Sequence, residues 1–310
     1  MESIYRELTE TEKQSRDLIC LPLDNLDTIE EFESLVKELS PYVGMFKVGM
    51  ASYTRFGPKA IEIIRKYDSE VFLDLKYYDI PNTLNDVSRA AAELGVYMFN
   101  VHASGGKKMM RDTVNSVKEK IAKTGGKMPK LLGVTILTSF DEATYLQTVQ
   151  AVNPKLDGID FDKYIEMAKA DKVLQNEFKQ LLVDFDLKDI IKKQVYNLAH
   201  LSEQIGLDGV VCSADDLKAI KDTLPKSFMY VTPGIKGPNT LPGPDQNIDR
   251  VFTPGNAIGQ GSTILVVGRA ITDPRTEEQR EMGVEITPQM RIDAAYDVVR
   301  DAAEYLESVN

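Results

Sequence analysis

Eight short apolar runs, each followed by a stretch of helical periodicity, constrain this chain more than any other feature. They occupy residues 18–23, 45–48, 71–75, 98–102, 131–138, 209–212, 229–232 and 264–268. Between them, segments such as DTIEEFESLVKEL, NDVSRAAAEL and YNLAHLSEQI place apolar residues three and four apart, as an amphipathic helix does. Runs apolar enough to be covered on both faces call for parallel strands. Eight of them suit a closed (β/α)8 TIM barrel better than an open sheet, which stays as the alternative. A single barrel runs to roughly 250 residues. The 310 residues therefore predict one domain over 1–310 that carries an insertion.

The insertion is placed at 141–190, where about fifty residues pass between the fifth run and the next regular helix near Lys193. Its stretch FDKYIEMAKADKVLQNEFKQLLVDF reads as helix. The segment holds 11 acidic and 6 basic residues, a large part of the chain's net −11. DGIDFDKYIE imitates a calcium loop, but the Gly at loop position six and the Glu at twelve are missing. Solvated acidic helix caps explain it better.

Composition narrows the function classes. With 37 Lys+Arg against 48 Asp+Glu, the surface disfavours a nucleic-acid partner, which needs clustered cations. No apolar run approaches the ~18–20 residues needed to cross a bilayer, and the first residues contain no apolar signal core, so a soluble cytoplasmic protein is expected. Cys20 and Cys212 sit in apolar runs without partners at metal-ligand spacing, and read as buried thiols. His102 and His200 share no zinc-binding spacing.

The densest polar cluster in an apolar setting is VFLDLKYYDIPNT, residues 71–83. Asp74 and Lys76 are two apart on a strand and share a face, and Asp79 lies on the following loop. Lys47 sits similarly in the second run and Asp24 ends the first. At the C-terminal rim of a barrel these groups would converge where active sites lie. A structural salt-bridge network is the bland alternative, but several buried ion pairs among apolar strands are better motivated by catalysis. VTPGIKG (231–237) and ILVVGRAIT (264–272) end the seventh and eighth runs, where such barrels often bind phosphate. Gly234 and Gly268 permit close backbone approach, and Arg269 supplies a charged fork, which predicts a phosphorylated substrate. His102 is read as a rim histidine without a catalytic role. TGGK at 124–127 lacks the rest of a P-loop and reads as a helix-ending turn.

With these residues in place, the chain resembles the orotidine 5'-phosphate decarboxylase family. The likeness runs in order through LPLDNLD, MFKVGM, FLDLKYYDIPNT, NVHASGG, GVTILTS, LDGVVCSA, VTPGIK and VVGRAIT, with only 141–190 outside it. The resemblance implies decarboxylation of orotidine 5'-phosphate to UMP, without metal or cofactor, in a homodimer with shared active sites. It implies Lys47, Asp74, Lys76 and Asp79 as a network of alternating charge, with Asp79 reaching the neighbouring subunit's site. It assigns Asp24 and Thr83 to the ribose, Ser139 to the pyrimidine amide, Pro233 to Ile235 to a closing loop, and Gly268 with Arg269 to the phosphate. Family members commonly carry a Gln in the loop after the seventh strand. Here that loop is longer and lacks Gln at the expected offset, so Asn239 is the substitute and Gln246 the weaker one.

Two other functions stay open on the sequence. Sugar-phosphate decarboxylases and synthases of the same superfamily share D-x-K-x-x-D and need Mg2+; Lys47, LTS and the IPNT continuation favour the pyrimidine substrate. A non-catalytic nucleotide-binding barrel is disfavoured by the intact Asp74, Lys76 and Asp79.

Overall fold

Each of the eight apolar runs becomes a strand. They are β1 (Ile19–Pro22), β2 (Met45–Gly49), β3 (Glu70–Tyr77), β4 (Met98–His102), β5 (Lys130–Val134), β6 (Gly209–Val211), β7 (Met229–Pro233) and β8 (Ile264–Val266). In this computed structural model, which describes residues 5–150, 156–167, 172–185, 187, 189–237 and 252–309, the strands pair in parallel and in chain order. β8 returns to β1, with Ile19 opposite Leu265, so the barrel closes and the open sheet is discarded.

Closure sorts the side chains by the two-residue period of a strand. Cys20, Met45, Phe72, Met98, Leu132, Val231, Ile264 and Val266 form one apolar cluster, which plugs the interior. A larger cluster, which includes Leu21, Phe46, Val48, Leu73 and Phe99, lies between the strands and the surrounding helices. Counting by two along an inner row passes from apolar to polar: Met45, Lys47, Gly49 on β2; Phe72, Asp74 on β3; Met98, Asn100, His102 on β4.

Local signals set the helices. Thr28 accepts from Glu31 N while Glu31 reaches back to Thr28 N, a reciprocal cap that starts Ile29–Leu39. Pro81 opens the helix Pro81–Glu93 directly after the β3 loop, where its missing N–H costs nothing. TGGK terminates the helix Gly106–Thr124, with Gly125 at φ +73°.

Between β5 and β6 the connection carries the helices Glu142–Val149, Phe161–Met167 and Lys172–Asp184 before Ile190–Ile205 begins. Leu146, Leu156, Phe161, Leu182 and Leu187 form an apolar cluster of their own there. Phe140 and Tyr145 pack on a neighbouring cluster with Val195, Val210 and Tyr230, which ties the base of this connection to the barrel wall. Among the described residues no helix is long and apolar enough to cross a membrane. Both cysteines are buried and unpaired with each other.

Candidate active site

The rim of β1 to β4 gathers the charged residues. Lys47 Nζ lies 3.0 Å from Asp74 Oδ2 and 3.3 Å from Asp24 Oδ2, while Lys76 Nζ lies 2.7 Å from Asp74 Oδ1. Asp74 is thus flanked by two ammonium groups, in a setting where its side chain is only 8% exposed. Burial acts to raise the Asp74 pKa, but the charges of Lys47 and Lys76 and hydrogen bonds from Lys76 and Asn100 outweigh it. The carboxyl therefore titrates below the ordinary range. Burial likewise opposes the Lys47 charge, and Asp74 with Asp24 overcomes it, so Lys47 titrates above an ordinary lysine. Both groups are ionised at neutral pH.

Two further residues that the sequence did not single out shape this cluster. Gly49 ends β2 against the Asp24 carboxylate; a Cβ there would stand 2.6 Å from Asp24 Oδ1. Asn100, wholly buried on β4, donates from Nδ2 to Asp74 Oδ1 at 2.7 Å and accepts from Lys76 N at 2.8 Å. The readable signal for Asn100 was a lone amide in the apolar run MFNVH. Lys76 itself sits at φ +47°, left-handed for a residue with a side chain, where the pairing of β3 with β4 shifts register.

Other predicted residues stand apart from the cluster. Asp79 is exposed and accepts a hydrogen bond from Ile80 N at 2.6 Å; it contacts neither lysine of its own chain. Thr83 is exposed on the first turn of Pro81–Glu93, and Ser139 is exposed in the turn after β5. Pro233 ends β7, Gly234 takes φ +82°, and Ile235 is buried. Lys236 N donates to Phe252 O at 3.0 Å. Asn239 and Gln246 lie outside the described residues.

Gly268 precedes the short helix Arg269–Thr272, with Arg269 exposed, and a Cβ on Gly268 would meet Pro22 Cγ at 3.1 Å. The β8 rim is thereby packed closely onto β1. His102 ends the β4 inner row, with its ring 5.5 Å from that of Tyr78. Burial, then the Lys76 charge, lowers its pKa against a smaller opposing effect of Asp74, which favours the neutral imidazole at pH 7. Beneath the cluster, burial pushes the Cys20 thiol far up, so it stays protonated.

Two ammonium groups fixed by one buried carboxylate leave a net positive charge, which can stabilise and then protonate negative charge that develops at a bound ligand. Comparison with known proteins agrees on the lineage of such a site. The family model described as Orotidine 5'-phosphate decarboxylase / HUMPS family matches residues 17–281. The chain is 38% identical over 263 residues to the orotidine 5'-phosphate decarboxylase of Syntrophus aciditrophicus, covering 85% of this chain and 89% of that protein. It is 38% identical over 261 residues to the protein of that name from Pseudoalteromonas translucida, covering 84% and 92% respectively. Among solved structures, orotidine 5'-phosphate decarboxylase from Lactobacillus acidophilus superposes with a TM-score of 0.61 at 28% identity, covering 92% of this chain and 97% of that one. The match takes in every strand of the barrel and the whole charged rim, and the chain belongs to the orotidine 5'-phosphate decarboxylase / HUMPS family.

Proposed function

We propose that this chain decarboxylates orotidine 5'-phosphate to UMP, the last step of de novo pyrimidine synthesis, without a metal or organic cofactor. The observation that carries the reading is the Lys47–Asp74–Lys76 array, two cations on opposite oxygens of one buried carboxylate. Cleavage of the bond between C6 and its carboxylate releases CO2 and leaves the electron pair on C6, in the ring plane and out of conjugation with the carbonyls. No covalent sink takes that pair, so electrostatic stabilisation has to serve. The Lys76 ammonium supports the developing carbanion and then delivers its proton to C6; solvent later restores the lysine. Asp74 faces the departing carboxylate and bonds the Lys76 ammonium, and Lys47 holds Asp74.

In this reading Asp24 and Thr83 hold the ribose, Ser139 reads the pyrimidine amide, Pro233 and Gly234 belong to the closing loop with Asn239, and Gly268 with Arg269 takes the phosphate. Asp79 completes the site of a second copy. Support for a homodimer comes from large apolar side chains exposed just past the ends of β2 and β3: Met50 after β2, and Tyr78 and Ile80 on either side of Asp79 in sequence, at 59%, 62% and 66%. Large apolar side chains left in water beside a site are accounted for when a second copy covers them. We also read residues 1–310 as one barrel domain with 141–190 inserted, acting in the cytoplasm.

A Mg2+-dependent sugar-phosphate reaction is the second reading for this family. Both oxygens of Asp74 are already engaged by protein donors, so a divalent ion there would have to displace Lys47 or Lys76. The deciding experiment is a spectrophotometric assay with orotidine 5'-phosphate in chelator. Loss of the substrate's absorbance with formation of UMP is expected. No loss, or loss abolished by the chelator, refutes the reading.

A further inference from the structure

The chemistry proposed above gives no task to Asn100, a buried polar side chain bonded directly to the charged cluster. Asn100 stands on β4 in the inner row, above Met98 and level with the charged rim, and its amide is bonded at both ends. Its Oδ1 takes the backbone N–H of Lys76, and its Nδ2 gives to the carboxylate that also takes the Lys76 ammonium. Only one orientation of the amide satisfies both neighbours, because an N–H requires an acceptor and a carboxylate a donor.

The backbone explains why such a clamp is needed. β3 pairs with β4 at Leu73–Phe99 and next at Tyr77–Val101, so β3 spends four residues where β4 spends two. The surplus is a bulge, a device that redirects side chains and interrupts the ladder. Lys76 lies inside it in a left-handed conformation that side-chain-bearing residues seldom adopt. Asn100 supplies the acceptor for the Lys76 N–H inside this bulge.

We propose that Asn100 is a positioning residue for the decarboxylation: through one amide it holds the bulged backbone of Lys76 and the Asp74 carboxylate in fixed relation, and so aims the Lys76 ammonium. The inference rests on the reading of Lys76 as proton donor. Its structural half is measured without substrate.

The test combines residue-resolved amide exchange with kinetics. In the parent protein the Lys76 amide is protected. In Asn100→Ala it exchanges at least about tenfold faster, while the amides of Val71 to Leu73 keep their protection. kcat falls at least about tenfold, whereas UMP affinity stays within about threefold, since phosphate and ribose are held elsewhere. The acid limb of kcat also moves to higher pH, because Asp74 loses a donor that favours its charged form. The other titratable groups that face Asp74 are not substituted in this variant: Cys20 on β1, Lys47 on β2 with Asp24 behind it, Lys76 on β3 and His102 on β4.

Asn100→Asp separates the two halves. It keeps an acceptor for the Lys76 amide but sets a second carboxylate against Asp74, so protection persists and kcat still falls. Three results would overturn the proposal: a Lys76 amide in the parent that exchanges as fast as exposed loop amides, an Asn100→Ala variant with kcat within about threefold of the parent, or an Asn100→Ala variant that loses turnover while its Lys76 amide keeps the parent's protection. A parent that does not turn over orotidine 5'-phosphate refutes the activity instead, and the exchange data then still decide whether Asn100 holds Lys76.

Discussion

Replacing Lys47 by methionine keeps most of the side-chain volume and removes the ammonium that lies 3.0 Å from Asp74. At that separation a pair of unit charges attracts by about 5.5 kcal/mol at an effective dielectric constant of about 20. Desolvation of both ions offsets part of this, and removing one partner of a buried pair costs about 3–5 kcal/mol. Asp74 retains Lys76 and Asn100, which places the expected loss at the lower end, about 3 kcal/mol. Asp24, whose side chain is 41% exposed, is screened by solvent. Its share of the loss is no more than roughly 1 kcal/mol.

In a chain of this size that corresponds to a fall in Tm on the order of 5–10 °C. The sign with pH follows from the two partners. The depressed pKa of Asp74 gives stability that is present above the ordinary carboxylate pKa and lost as pH falls through its folded value. The raised pKa of Lys47 gives stability that is present below the ordinary lysine pKa and lost as pH rises through its folded value. The gap between parent and Lys47→Met is therefore widest from about pH 4 to about pH 10 and closes on acidification.

Thermal melts across that range measure the gap, and the double variant Lys47→Met with Asp74→Asn tests its cause. Neutralising the stranded carboxylate should recover about 2 kcal/mol relative to Lys47→Met alone. Strict additivity of the two substitutions, or a Lys47→Met protein as stable as the parent at pH 7, would refute the claim that these charges are coupled.

Further outcomes concern the rest of the site. Arg269→Ala should weaken substrate and UMP binding by about 10–100-fold, the worth of a charge-assisted hydrogen bond, while kcat at saturation stays within about threefold. Turnover abolished even at saturation would show that Arg269 takes part in the chemistry. Dimers of Lys76→Ala mixed with dimers of Asp79→Ala should regain activity on subunit exchange, as one fully intact site forms in each heterodimer. Absence of recovery despite demonstrated heterodimers would place Asp79 in its own subunit's pocket.

The strands were legible because burial on both faces leaves an uninterrupted apolar signature that survives without knowledge of the partners. The pairing of Asp74 with Lys76 was legible for a related reason, since the two-residue period of a strand assigns both to one face. Asn100 and Gly49 escaped notice because their significance depends on register between strands. Nothing in MFNVH says that residue 100 will meet a bulge 24 residues earlier, and nothing in KVG says that Asp24 will fold against residue 49. The left-handed backbone of Lys76 was equally hidden, since local sequence favours glycine or asparagine for that conformation. Helices were expected through 141–190 and helices are present, but their private apolar cluster depends on contacts between segments that periodicity does not pair.

Along each inner row the greasy half of the strand and the ionic half occupy opposite storeys, with Met45 under Lys47, Phe72 under Asp74 and Met98 under Asn100. Cohesion is thus delegated to the floor and reactivity to the roof. A chain built this way can exchange one chemistry for another by swapping a handful of upper-storey side chains while the foundation goes on holding the cylinder shut.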